Sequence, residues 1–434
     1  MLTLVEHNAQ ALLRMTALGA VTNKAALAVS AALLLALSPL PCQADPQGTW
    51  RGWLDSPGGD LPFNFEVAVP ANGDPPSVVI INHPERIEVP KVGWDGRELV
   101  LEIGYYRSEL RARLSDSGDR FDGAWTKQLS KGRQRRMPFH AIRGAWRFSR
   151  PEAASAAARQ AAASFGGKWS VQFEKDKQGA VGVFEDIGEH ELTGTFLTTL
   201  GDYRFLSGVR DGRTMKLSCF DGAHAFLFIA KLTGSGELRG DFWSSDSWHE
   251  TFRGRRDPKA ALPDAWKLTT ADPAKLSGLR FPDLEGRIRG LDDASVRGAA
   301  RLVVVFGSWC PNCRDETAYL VELHRRYSKR GLKILGLAFE HSVDPEEGRQ
   351  QLRRYADQHG VRYPILVAGL SDKAKASQAL PLLDRVRSYP TTLFLDKQGK
   401  VRAVHTGFSG PATGVEHKRL RARFESLIEA MLKD

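Results

Sequence analysis

Cysteine is scarce in this chain: four in 434 residues, at positions 42, 219, 310 and 313. That number excludes a small disulfide-stapled scaffold. No second cysteine pair and no His-x-His sequence is present to complete a four-ligand zinc site with Cys310 and Cys313. Long Lys/Arg blocks are missing too. The formal net charge of +10 therefore reads as a solvated basic surface, with no nucleic-acid partner expected. With 42% hydrophobic and 26% charged residues the composition is ordinary globular. At about 100–200 residues per domain the length suggests three domains.

The apolar residues near the start are grouped like an export signal. Ala25–Leu37 is an uncharged run preceded by Arg14 and Lys24 and ended by Pro39 and Pro41. Its length falls in the roughly 7–15 residues of a signal core and short of the roughly 20 of a spanning helix. Cys42 and Ala44 put small side chains where a signal peptidase reads them. Residues 1–44 are thus expected to be a signal peptide, with Met15 as an alternative start and an uncleaved anchor as the alternative fate. Cleavage after Ala44 would leave one close cysteine pair and Cys219 in a periplasmic or other extracytoplasmic protein.

Two stretches resemble each other. Gly48-Thr49-Trp50 matches Gly167-Lys168-Trp169, Asp95-Gly96-Arg97 matches Asp211-Gly212-Arg213, and Phe121–Trp125 matches Leu238–Phe242. The offset is nearly constant, which predicts a duplicated module over 45–147 and 166–256. Apolar residues alternate at Leu99, Leu101 and Ile103, and Asp-Gly turns precede strands. Each copy is predicted to be an antiparallel all-β module, a sandwich or a small barrel. Residues 148–165 and 257–278 are read as linkers. Aligned on the repeat, Cys219 corresponds to Ile103 and shares a strand face with Met215 and Leu217, which predicts a small buried hydrophobe. Trp50, Trp94, Trp125, Trp169 and Trp243 are expected in the cores, ahead of a ligand cavity.

From residue 279 to 434 the pattern becomes α/β. Leu302–Phe306 suits a central strand, an amphipathic helix carries Leu320, Leu323 and Tyr327, and further strands are expected at 332–339, 363–367 and 391–395. Between the first strand and the first helix stands Trp309-Cys310-Pro311-Asn312-Cys313. A cysteine at a helix N-terminus meets free N–H groups and the positive end of the dipole, and both favour the thiolate. Cys313 follows one turn later and points inward. Cys310 is therefore assigned as nucleophile and Cys313 as resolving thiol; their reversible disulfide is the redox group, and no other cofactor or metal is expected.

The segment Val303–Cys313 resembles the active-site segment of thioredoxin-fold proteins, most closely the TlpA/ResA-type disulfide reductases. Phe281–Gly286 resembles their domain opening, and Tyr389-Pro390-Thr391-Thr392 the strand start whose cis-proline faces the dithiol. The resemblance covers residues 279–434 and implies a thioredoxin fold there. It implies that Trp309, Pro311, Tyr389 and Pro390 contact substrate, and that Tyr389 offers its backbone to an incoming peptide strand. Glu316 matches an acid that assists proton movement in that family; the competing reading is a solvated helix carboxylate. Departures are Ala318, where the family often has a helix-kinking proline, and Val304, where cytoplasmic thioredoxins carry a buried acid.

Asn312 is neutral, which favours a reductase over an oxidant. Glu340-His341 follows a strand at its C-terminal end, where α/β sites form. His341 is read as a surface-loop histidine ahead of a group that tunes Cys310 or contacts substrate, and His405–Gly410 as a strand end with turn glycines ahead of a loop near the site. Thiol peroxidases need a threonine where Gly307 stands, so peroxidase activity ranks third. The leading expectation is reduction of protein disulfides, with electrons from a membrane or periplasmic donor. The runner-up is a binding or scaffold protein whose β modules carry the main role.

Overall fold

The computed structural model describes residues 45–129, 132–148, 163–176 and 178–433. The expected export segment, with Cys42, lies outside the described residues, as does most of the linker expected over 148–165.

The first nine strands are β1 (Gly48–Ser56), β2 (Gly59–Ala68), β3 (Ser77–Asn82), β4 (Glu85–Glu88), β5 (Lys91–Trp94), β6 (Glu98–Ile103), β7 (Ser108–Leu114), β8 (Arg120–Gln128) and β9 (Gln134–Arg143). They form one antiparallel sheet in the order β4-β3-β2-β1-β9-β8-β7-β6-β5. Burial alternates along β6 and β7, as one solvated and one covered face require.

The next nine are β10 (Gly167–Phe173), β11 (Ala180–Ile187), β12 (Glu191–Thr198), β13 (Gly201–Asp202), β14 (Leu206–Asp211), β15 (Thr214–Phe220), β16 (Ala225–Leu232), β17 (Glu237–Ser244) and β18 (Trp248–Arg256). Their neighbours repeat the first sheet's order, strand for strand. Here β12 pairs with both β11 and β14, which closes the sheet into a barrel. The corresponding β3 and β5 are not paired among the described residues, so the first sheet stays an open half-barrel.

One corner recurs in both. The Trp50 indole donates to the Pro46 carbonyl, and the Trp169 indole to the Phe165 carbonyl, each at 2.8 Å. Arg143 and Arg256 lie over these rings at 4.5 and 4.7 Å. Trp50, Trp125 and Trp169 are buried, while Trp94 and Trp243 pack at the core's edge. Cys219 is fully buried in the barrel interior beside Met215 and Leu217. Its neighbour Phe220 points the other way and stacks on Phe63 of the first sheet at 4.4 Å. The period-2 geometry of β15 thus serves two cores.

The C-terminal part opens with the short hairpin β19 (Arg280–Pro282) and β20 (Ile288–Gly290). Then follow β21 (Ala300–Phe306), α1 (Pro311–Tyr327), β22 (Leu332–Glu340), α2 (Pro345–His359), β23 (Ile365–Leu370), α3 (Lys373–Ala379), β24 (Thr391–Leu395), β25 (Val401–Thr406) and α4 (Val415–Lys433). The sheet order is β23-β22-β21-β24-β25. Strands β21, β22 and β23 run parallel, and β24 and β25 antiparallel. This is the thioredoxin fold that the sequence resemblance implies. Every residue of β21 is buried, as a central strand covered on both faces demands. The segment expected as a linker over 257–278 packs on this domain: Trp266 meets Phe394 and Phe424 at 5.7 Å, and Ala271 bridges to Leu383.

The three lobes meet at Arg204, only 1% exposed. Its guanidinium pairs with Glu85 of the first sheet at 2.7 Å, with Asp221 of the barrel at 3.4 Å, and with Asp315 of α1. Removing the cation leaves buried carboxylates unpaired, which costs about 3–5 kcal/mol. Arg204→Ala is therefore expected to lower the urea midpoint of unfolding by a corresponding amount; an unchanged midpoint would show that the junction contributes nothing to stability.

Candidate active site: the Cys310–Cys313 pair

Local sequence places the pair. The apolar strand β21 delivers the chain to Cys310, which caps α1 with an extended backbone, and Pro311 occupies the first turn. Proline suits that position because its missing N–H would have had no helical partner. The Cys310 sulfur accepts the Cys313 N–H at 3.3 Å, and its S–H faces the Tyr389 carbonyl at 3.5 Å. The Tyr389–Pro390 bond is cis. Cys310 keeps 6% exposure and Cys313 1%; among the described residues both are free thiols. Burial, with Cys310 adjacent, pushes the Cys313 thiol well up. Helix α1 runs unbroken past Ala318.

Glu316 lies beneath the pair. It is buried, accepts the Thr392 hydroxyl at 2.6 Å, and leaves its second oxygen without a partner. Burial raises it to about 8, against the pull of the Thr392 hydroxyl. It is no solvated helix carboxylate, because α1 turns this position toward β24.

Trp309, Cys310, Pro311 and Tyr389 line one cleft, and Glu316 stays behind it. The Trp309 indole donates to the Phe339 carbonyl at 2.8 Å and meets Tyr389 edge-on at 5.4 Å. It folds over Gly307, where a Cβ would collide with the indole and approach the Phe339 carbonyl. The threonine of a peroxidase site does not fit there.

Several residues in this site were not assigned from sequence. His341 stands in the loop after β22, as read from sequence, but is half-buried there. It stacks on Trp309 at 4.4 Å and shares a hydrogen bond with Ser371. Burial lowers it to about 4, with Lys127 and Arg107 adding to the effect, so its ring is neutral at pH 7. Glu340 is buried behind the dithiol loop and accepts both the Ser308 N–H at 2.9 Å and the Ser308 hydroxyl at 2.7 Å. Burial raises it to about 7. Their place at the C-terminal end of β22 was the available signal, since sites in α/β sheets gather there. The barrel's contribution had no signal in sequence. The β12–β13 turn sets Leu200 against Ser388, whose hydroxyl donates to the Leu200 carbonyl at 2.9 Å. The Asp202 N–H points to the Asn312 side chain at 3.5 Å. The strip beside Tyr389 is thus partly covered, where the resemblance implied room for a peptide strand.

Residues 272–404 match the AhpC/TSA family. The thiol-disulfide oxidoreductase ResA of Geobacillus thermodenitrificans (strain NG80-2) is 33% identical over 125 residues, which are 29% of this chain and 63% of that protein. The thioredoxin-like protein YneN of Bacillus subtilis (strain 168) is 29% identical over 135 residues, 30% of this chain and 71% of that one. Among solved structures, a thiol:disulfide interchange protein of the thioredoxin family from Chlorobium tepidum TLS aligns at 21% identity and TM-score 0.28, over 40% of this chain and 99% of that one. The chain thus spans 63% of the ResA relative's length. These similarities in sequence fall in the C-terminal domain.

A carboxyl whose folded pKa is raised binds its proton more tightly folded than unfolded, so stability falls as pH climbs from the unfolded to the folded value. For Glu316 that window runs from 4.5 to about 8. Glu316→Gln is expected to make the loss of unfolding free energy across this window less steep than in the wild type, while the contributions of the other buried groups, Glu340 and Asp202 among them, are unchanged. Urea unfolding at a series of pH values measures it, and parallel profiles would contradict the burial argument.

Proposed function

We propose that this protein is a thiol–disulfide oxidoreductase that reduces protein disulfides through Cys310 and Cys313. The observation that carries the proposal is the asymmetry of the pair. Cys310 sits at the cleft with its sulfur accepting a helix N–H, and Cys313 is sealed behind it with its thiol held protonated.

The Cys310 thiolate attacks one sulfur of a substrate disulfide. A mixed disulfide forms, and the other substrate sulfur leaves as a thiolate that takes up a proton. Cys313 then loses its proton and attacks the Cys310 sulfur. The intramolecular disulfide forms, the second substrate thiolate departs, and two electrons have passed to the substrate. Glu316 in its ionised form is the acceptor for the Cys313 proton. Its raised value near neutrality and its influence on Cys313 support that role. A dithiol donor restores the pair. We place that donor in the membrane or periplasm and the protein outside the cytoplasm, on the strength of the apolar run Ala25–Leu37.

Insulin reduction tests the activity. Cys310→Ser is expected to leave no turnover above background; residual Cys310-independent turnover would overturn the proposal and return weight to a binding role for the β lobes. Cys313→Ser is expected to accumulate mixed disulfides through Cys310, seen by mass spectrometry, and adducts at Cys219 in their place would refute the assignment of roles. Glu316→Gln is expected to slow the resolving step by roughly 100-fold, read in single-turnover experiments.

A further inference from the structure

The dithiol opens into a cleft walled by all three lobes. The barrel supplies Leu200, which is 47% exposed and anchored on Ser388. The first sheet supplies the turn Gly104–Tyr106, the end of β8 with Leu129, and Arg133 before β9. That turn is fixed to the thioredoxin domain, because Gln351 of α2 donates to the Tyr105 carbonyl at 2.6 Å and Arg107 pairs with Glu347 at 2.6 Å. The cleft's volume is about 570 Å³. Clefts of roughly 300–1,000 Å³ take a drug-sized ligand, which corresponds to a few residues of extended chain. A folded partner face, which buries roughly 800 Å² on each side, needs an open surface that the β lobes here take up.

The walls carry an unbalanced charge. Two of the lining cations are committed: Arg107 to Glu347, and Arg135 to Asp246 at 2.8 Å. Among the described residues no carboxylate pairs with Lys127, Arg133 or Lys373. Lys127 donates to the neutral Ala223 carbonyl at 2.7 Å, and Arg133 and Lys373 are exposed. On the acidic side, Glu340 is buried against Ser308 and Glu347 is already paired. Burial lowers Lys127 to about 8, against the pull of nearby Asp221, so it is a weak cation. Arg133 and Lys373, from two lobes, are the two exposed cations that face the space above Cys310 without a carboxylate partner. In a cleft with low-dielectric walls such a field concentrates anions.

We propose that the cleft selects protein disulfides lying in extended, acidic segments, with Arg133 and Lys373 as the specificity-determining charges. The inference rests on the reading of Cys310 as the attacking thiol, and the exchange is the one written above. A segment with Asp or Glu beside its cysteine places carboxylates against the cations while its sulfur reaches Cys310. Segments flanked by Lys or Arg are repelled.

The test uses pre-reduced full chain and two synthetic peptides of equal length, each carrying one cysteine as a mixed disulfide with neutral 2-thiopyridine. One peptide is flanked by Glu and the other by Lys. Release of 2-thiopyridone gives the rate. The wild type is expected to react with the Glu peptide about tenfold faster at low salt, the preference shrinking as salt screens it. The double variant Arg133→Gln, Lys373→Gln is expected to cut that ratio at least threefold. A wild-type ratio at or below one overturns the inference, and so does a ratio that neither salt nor the double variant changes. Neutral 2-hydroxyethyl disulfide, tried with the wild type alone, separates the two levels. If it is reduced while the peptides show no charge preference, only the selectivity inference falls. If it and both peptides go unreduced, the dithiol reading falls with it.

Discussion

A single buried guanidinium holds the architecture in register. Arg204 stands on the barrel, and its carboxylate partners come from three places in the sequence: Glu85, Asp221 and Asp315. Each partner is worth little without the cation, since a buried carboxylate alone pays its full desolvation cost. The contact with Asp315 matters most for chemistry, because Asp315 lies two residues beyond Cys313 on α1. The barrel therefore grips the very turn of helix that presents the dithiol. The hydrogen bond from Gly410 to Asp202 at 2.6 Å and that from Ser388 to Leu200 continue the grip around the site's rim. The β lobes are part of the site's walls and not remote appendages.

Around the thiols the protein suppresses charge. Burial raises Glu316, Glu340 and Cys313 and lowers His341, so each is driven toward its neutral form. Four groups shifted toward neutrality by the same cause define a low-dielectric pocket. In such a medium a thiolate at Cys310 has few competitors for the cleft's cations. The floor of the cleft is thus driven toward neutrality while its exposed wall keeps the cations Arg133 and Lys373.

The chemistry was legible in sequence because it is local. A β-rich run, a Cys-x-x-Cys and a helix face are contiguous, and Tyr389-Pro390 announces itself as a dipeptide. Glu316 was legible by its distance from Cys310, though its burial was not. The repeat made Cys219 readable through Ile103. What escaped are contacts across more than 100 residues. Asn312 carried a redox argument from sequence, while in the fold it also meets the Asp202 backbone. Arg204, Leu200 and Gln351 show no periodicity or motif that marks them, because their partners are fixed only when three lobes close on each other. The open first sheet and closed barrel share one strand order, and whether β12 reaches β14 is decided by twist and packing that pattern does not encode.

The burial of Cys219 bears on how this chain comes to be made. In the finished protein its thiol lies inside the barrel, out of reach of any disulfide. Before the barrel closes, the same thiol is an ordinary one, upstream of the two proposed for exchange. Synthesis runs from the N-terminus, so the barrel strands emerge before Cys310 and Cys313 do. The order of the modules along the chain thus makes every strand that buries Cys219 available before Cys310 and Cys313 emerge.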